Sequence, residues 1–185
     1  MLTPAPMTKP EWRTWAQARR RELDRDHLSA VLRQRLVALP EFAAAQTVLV
    51  YVATPEELDF LPLTTLAPKR FALPRCAPKR RLAVHAYPCP LIVSPFGLRE
   101  PAATEPELAP EELDLVLVPA LAATPQGDRL GYGGGYYDRF LPRLRPNTPT
   151  LLVLPDAHLV ETLPLDPWDI PVKIIVTETR ILRHP

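Results

Sequence analysis

At 185 residues with 46% hydrophobic content, the chain is long enough to bury a real core and short enough for one domain. Its formal charge of +1, with acids and bases mixed along the sequence, offers no basic field for nucleic acid, so a small ligand is expected. No apolar run is long enough to span a bilayer, and Cys76 and Cys89 show no metal-ligand spacing; they read as free thiols in a reducing compartment, which implies a cytoplasmic protein without membrane or nucleic-acid partners, expected to be a monomer although nothing in the sequence sets its oligomeric state.

In chain order, residues 10–39 read as helix. A first segment carries Trp12 and Trp15 on an inner face and the basic run Arg19, Arg20 and Arg21 on an outer one. Asp26 then reads as an N-cap ahead of Leu28, Val31, Leu32 and Leu36, which fall at helical spacing, and Pro40 ends the pair. Residues 47–52 are β-branched and apolar on both faces, as in a strand buried within a parallel sheet. Further strands are predicted at 71–73, 82–87, 113–118, 150–154 and 172–177, and short helices at 57–66 and 136–141; residues 101–112, rich in Pro and Glu, read as a surface loop. This alternation predicts a single α/β domain, a three-layer, open, mostly parallel sheet flanked by helices. Ligands in such folds sit beyond the carboxyl ends of the strands.

Four of the six glycines, Gly131, Gly133, Gly134 and Gly135, fall between Arg129 and Asp138. Glycine tolerates positive φ and lets the backbone approach a ligand, so successive N–H groups can form a concavity for phosphate oxygens, assisted by a helix starting near Tyr136. Arg129 adds a bidentate donor, and Asp138 is a hard oxygen ligand suited to Mg²⁺. The pattern lacks the Gly-Lys-Ser/Thr ending of a Walker loop, and the preceding strand ends too far upstream for a dinucleotide turn. A plain tight turn is the competing reading of the glycines alone.

The ordered segment from Leu115 to Leu141, including Gly-Asp-Arg-Leu-Gly-Tyr-Gly-Gly-Gly-Tyr-Tyr-Asp-Arg-Phe-Leu, resembles the signature of the 5-formyltetrahydrofolate cyclo-ligase family. The likeness extends to Lys9 and Arg13, to Leu73-Pro74-Arg75, to residues 96–101 and to Asp169-Ile170-Pro171-Val172. It implies an ATP- and Mg²⁺-dependent ligase acting on a reduced folate. Lys9, Arg13 and the loop Arg129, Leu130, Gly131, Tyr132, Gly133, Gly134, Gly135, Tyr136 and Tyr137 would bind ATP, and Asp138 and Asp169 would hold the metal. Thr54 and Asp59, together with residues 132–136, would line the folate pocket, and Asp59, Arg129 and Tyr136 would serve the chemistry.

Asp59 stands where the family usually has Glu, Ala120, Ala123 and Thr124 replace a Gly and a Phe-Asp pair, and Trp12 and Trp168 replace other residues. Gly134 matches a position where relatives can carry a side chain, so Gly133 and Gly135 are the glycines expected at positive φ. Arg99 and Glu100 read as a surface pair, and the four histidines as structural or surface residues. Two alternatives stay open: a non-catalytic nucleotide- or anion-binding module on the same fold, and a sugar-phosphate isomerase-like enzyme.

Overall fold

The computed structural model describes residues 7–65 and 68–184. Helix α1 spans Lys9–Arg20, and the Glu11 carboxylate ties its start by accepting the Thr8 N–H at 2.7 Å. Helix α2 spans Arg25–Val37. Its N-cap is Asp24, whose carboxylate accepts the His27 N–H at 3.1 Å, and not Asp26, which lies inside the first turn. The expected helical run is therefore interrupted at residues 21–24. Pro40, expected only to end the pair, opens a third helix, α3, Pro40–Ala44, where its missing N–H is tolerated.

The central sheet has seven strands: β1 (Thr47–Leu49), β2 (Arg70–Ala77), β3 (Arg81–Tyr87), β6 (Leu115–Leu117), β9 (Thr150–Val153), β10 (Ile174–Val176) and β11 (Ile181–Arg183). Across it the order is β11-β10-β9-β6-β1-β2-β3. All pairings are parallel except β2 with β3 and β10 with β11 at the two edges. Two small ribbons stand apart from it, β4 (Leu91–Val93) with β5 (Arg99–Pro101), and β7 (Ala122–Ala123) with β8 (Arg129–Leu130). Helix α4, Tyr136–Phe140, follows the second ribbon. A helix over 57–66 does not form; only a 3-10 turn, Leu61–Thr65, follows Asp59, whose carboxylate accepts the Leu61 N–H at 3.0 Å, and Leu66 lies outside the described residues. Pro62 and two threonines suit this short turn better than a helix.

Strand alternation builds the three layers. Val48 and Val50 face a core shared with Leu32 and Leu36 of α2 and Phe42 of α3, whereas Leu49 faces the other core, with Val116, Leu152, Ile175 and Phe140 of α4. Each of these buried side chains contributes on the order of 1.5–3 kcal/mol. A third, smaller cluster seats α1 on the β7–β8 ribbon through Ala16, Leu121, Ala122 and Leu130, with Trp12 and Trp15 packed against it. The aromatic inner face of α1 is thus as the sequence implied.

From β1 the chain moves outward to β2, yet β6 pairs on the opposite side of β1. The segments leaving β1 and β6 consequently diverge, which opens a crevice beyond their carboxyl ends.

Candidate active site

That crevice is a cleft of about 860 Å³. Segments after β1 supply Thr54 and Glu57, segments after β6 supply residues 129–139, α1 supplies Lys9 and Arg13, and residues 166–169 close one end.

The glycine loop bends as the sequence implied. Gly133 has φ +96° and Gly135, the residue capping α4, has φ +65°, whereas Gly134 keeps an ordinary φ. A Cβ on Gly133 would stand 3.2 Å from the Arg13 guanidinium, so the bare backbone lets that side chain lie across the loop, where its Nε donates to the Gly131 carbonyl at 3.0 Å. The N–H groups of Gly133, Gly134 and Gly135 donate no hydrogen bond among the described residues. Consecutive backbone donors without an acceptor, on a loop that lines the cleft, suit an anion.

Charges at this end neutralise one another. Lys9 Nζ lies 2.6 Å from Oδ2 of both Asp166 and Asp169, and Arg129 Nη2 lies 2.6 Å from Asp138 Oδ1. Burial works against the Lys9 charge, but the bonds to Asp166 and Asp169 outweigh it and hold its pKa above the ordinary lysine value. Burial likewise works against the Asp169 carboxylate, but the Asp166 N–H and Lys9 prevail and hold its pKa below the ordinary value. The Ile170 N–H reaches Asp138 Oδ1 at 3.3 Å, which brings the segment carrying Asp169 against the Asp138 side chain.

Asp138 Oδ2 and Asp169 Oδ1 accept no hydrogen bond among the described residues. Two hard carboxylate oxygens beside a phosphate-type loop fit Mg²⁺, which takes one or two protein carboxylates and completes its shell with phosphate and water. No group of three or more His, Cys, Asp or Glu gathers into a metal cage among the described residues.

At the other end, Thr54 lines the cleft as expected, and its N–H donates to Glu57 Oε2 at 2.8 Å. Asp59 does not line the cleft. Its carboxylate caps the 3-10 turn, its N–H donates to Ser29 Oγ at 3.0 Å and its carbonyl accepts from Arg33. In this stretch of chain the carboxylate that lines the cleft is Glu57, 7% exposed, which accepts the Tyr132 hydroxyl at 2.6 Å. Sequence reasoning passed over it, although a Glu two residues upstream of Asp59 supplies the expected residue type without any substitution.

Arg129, Leu130, Gly131, Tyr132, Tyr136, Tyr137 and Asp138 all line the cleft. Arg129 Nε and the Tyr137 hydroxyl are buried without a partner among the described residues. Glu100, expected at the surface, is 6% exposed and accepts the Cys76 N–H at 3.0 Å on the cleft wall. Arg20, placed on the outer face by the sequence, turns inward to the Tyr132 hydroxyl at 2.6 Å. His85 and His158 are fully buried, in keeping with structural roles. Thr124 is buried and bonds the Asp128 carboxylate at 3.0 Å in the β7–β8 turn, away from the ligand-facing residues.

A cleft with a phosphate-type loop whose own Tyr132 bonds Glu57 narrows the possibilities, and comparison with known proteins decides among them. The model of the 5-formyltetrahydrofolate cyclo-ligase family matches residues 7–178. The chain belongs to that family. As a cyclo-ligase family member it is a ligase enzyme of folate chemistry. The 5-formyltetrahydrofolate cyclo-ligase of Escherichia coli K12 is 33% identical over 156 residues, covering 80% of this chain and 86% of the relative. The Mycolicibacterium smegmatis cyclo-ligase is 38% identical over 96 residues, about half of each chain.

The solution structure of Aquifex aeolicus 5,10-methenyltetrahydrofolate synthetase superimposes with a TM-score of 0.82 at 34% identity, over 96% of this chain and 93% of that one. The Mycoplasma pneumoniae synthetase, at 22% identity and a TM-score of 0.76, shares the fold. The mostly parallel, helix-flanked sheet is therefore the cyclo-ligase fold.

Proposed function

We infer that this cyclo-ligase family member converts 5-formyltetrahydrofolate to 5,10-methenyltetrahydrofolate, consuming ATP with Mg²⁺ and releasing ADP and phosphate. The observation that carries the reading is the continuity of one cleft, in which Lys9, Arg13, Arg129 and the glycine loop meet Glu57 through Tyr132 of that loop.

The chemical difficulty is the formyl oxygen, a poor leaving group. In the proposed sequence that oxygen attacks the γ-phosphorus of ATP, the bond from γ-phosphorus to the bridging oxygen breaks, and ADP leaves. N10 then attacks the formyl carbon, the carbon–oxygen bond breaks, phosphate departs and N10 loses its proton. Phosphoryl transfer asks mainly for positioning and charge stabilisation, so no protein nucleophile is required.

In this scheme the unpaired loop amides and Arg129 hold the transferring phosphoryl group, and Lys9 and Arg13 hold the remaining phosphates. Asp138 and Asp169 would hold Mg²⁺, which supplies charge neutralisation on the phosphates. Thr54, Glu57, Tyr132 and Tyr136 line the folate side. Glu57 takes the role first given to Asp59, orienting the pterin or its formylated nitrogen. A monomer working in the cytoplasm on small molecules is part of the same proposal; the free thiols Cys76 and Cys89 support the reducing compartment.

A binding module without folate chemistry would be favoured by the departures at Asp59 and Thr124; Glu57 in the cleft and the bond of Thr124 to Asp128 speak against it. An isomerase would use one phosphate site, whereas Lys9, Arg13 and Arg129 beside Asp138 and Asp169 suit a triphosphate with metal. The test is spectroscopic: protein, 5-formyltetrahydrofolate, Mg²⁺ and ATP should together generate the methenyl chromophore. Absence of the chromophore, with folded protein that still binds ATP, would overturn the proposal.

A further inference from the structure

Lys9, Arg13, Ala16 and Arg20 stand at i, i+4, i+7 and i+11 of α1 and therefore share one helical face. Ala16 is fully buried and fixes that face against the β7–β8 ribbon. Lys9 and Arg13 occupy the phosphate end of the face. Along the helix axis Arg20 lies about 16 Å from Lys9 and about 10 Å from Arg13 at 1.5 Å per residue, and its guanidinium is engaged away from theirs.

What Arg20 does instead is visible in its bonds. Its Nη1 donates to the Tyr132 hydroxyl at 2.6 Å, and that hydroxyl donates onward to Glu57 Oε1 at 2.6 Å. Its Nη2 donates to the Ala120 carbonyl, at the exit of β6. Although the Tyr132 ring is half-exposed, its hydroxyl is enclosed between Arg20 and Glu57; desolvation there first, and the Glu57 charge second, push the phenol above the ordinary tyrosine range, so it donates to Glu57. The second Glu57 oxygen is held by the Thr54 N–H at 2.8 Å. Three segments meet here: α1, the glycine loop, and the chain leaving β1.

We propose that Arg20 is a positioning residue that acts through Tyr132 to set the Glu57 carboxylate for the reduced folate. The inference rests on the reading above, in which Glu57 faces the folate. A charged donor on the phenol oxygen strengthens the phenol's own donation, and anchoring to the Ala120 carbonyl fixes where that donor stands. Because Tyr132 belongs to the glycine loop, Glu57 is oriented by the element that also receives phosphate.

The test is equilibrium titration of 5-formyltetrahydrofolate into Arg20→Met, Arg20→Lys and Tyr132→Phe, each alone and combined with Glu57→Gln. Arg20→Met and Tyr132→Phe should each weaken binding at least tenfold, with Arg20→Lys recovering part of the loss. In the Glu57→Gln background the same changes should cost less than threefold, because a residue acting through Glu57 loses its effect once Glu57 is altered. Tyr132→Phe keeps a half-exposed ring in place, so it breaks the chain of bonds even if Arg20→Met fails to fold. Losses that are undiminished on Glu57→Gln, or no loss in either single variant, would overturn the proposal. If wild-type protein forms the methenyl product while this coupling is missing, only the role of Arg20 fails; if it forms no product, the functional reading fails with it.

Discussion

Lys9 Nζ and Asp169 Oδ2 are 2.6 Å apart, and each belongs to a different half of the proposed Mg·ATP site. The side chain meant for phosphate is holding the side chain meant for metal. Arg129 and Asp138 repeat the arrangement. Binding of Mg·ATP would exchange both pairs, carboxylates to metal and cations to phosphate, without leaving a buried charge unpaired at either stage.

Lys9→Met should therefore lower the melting temperature by a few degrees at neutral pH, as expected for a partly buried pair worth about 1 kcal/mol. The depressed Asp169 pKa means that its contribution is present above the ordinary carboxylate value and lost as pH falls through the lower folded value. The raised Lys9 pKa means that its contribution is present below the ordinary lysine value and lost as pH rises through the higher folded one. The gap between wild type and variant should thus be constant from about pH 5 to pH 10 and close on both sides. Thermal melts across pH check this; a gap that does not narrow as pH falls below the ordinary carboxylate range, or rises above the ordinary lysine range, would refute the ion-pair origin.

Asp138→Asn keeps the shape and removes one charge. At limiting Mg²⁺ its activity should fall at least tenfold and recover in part as Mg²⁺ is raised. Wild-type activity at limiting Mg²⁺ would remove Asp138 from the metal site.

Gly133→Ala places a side chain at φ +96° and 3.2 Å from the Arg13 guanidinium, combining backbone strain of roughly 1–2 kcal/mol with displacement of a phosphate cation. Gly135→Ala is strained at φ +65°, while its close neighbour is only the mobile end of Arg139. Both should weaken Mg·ATP binding at least tenfold, about 1.4 kcal/mol, by calorimetric titration. Gly134→Ala meets the Tyr136 ring at 2.8 Å without φ strain, so it should disturb turnover more than nucleotide affinity. Unchanged affinity in both flanking variants would reduce the loop to a turn.

Glu57→Gln should raise the folate KM at least tenfold, whereas Asp59→Asn should leave it within about threefold and instead lower stability slightly through the 3-10 turn. Steady-state kinetics on the pair decide which carboxylate faces the substrate, and the reverse pattern would restore Asp59.

The central strands were legible because β-branched, doubly apolar runs such as 47–52 have few other places to go. The ribbons were not: β7 and β8 are two residues each and carry no periodicity to read. The glycine loop was legible from its density of glycines, and the resemblance, in which the Gly134 position can carry a side chain, separated the glycines that bend, Gly133 and Gly135, from the one that does not. Glu57 and Asp59 were confused because both lie in one irregular stretch, where direction is set by a turn cap that only three-dimensional placement reveals. Arg20 looked like a solvated charge because its partners, Ala120 and Tyr132, are about a hundred residues away in sequence.

The most direct measurement follows the fate of the formyl oxygen. With 5-formyltetrahydrofolate labelled by oxygen-18 at the formyl group, phosphate released during methenyl formation should carry one labelled oxygen per molecule. Methenyl product accompanied by unlabelled phosphate would show that the oxygen leaves by another route and would contradict phosphoryl transfer to the formyl group in this cleft.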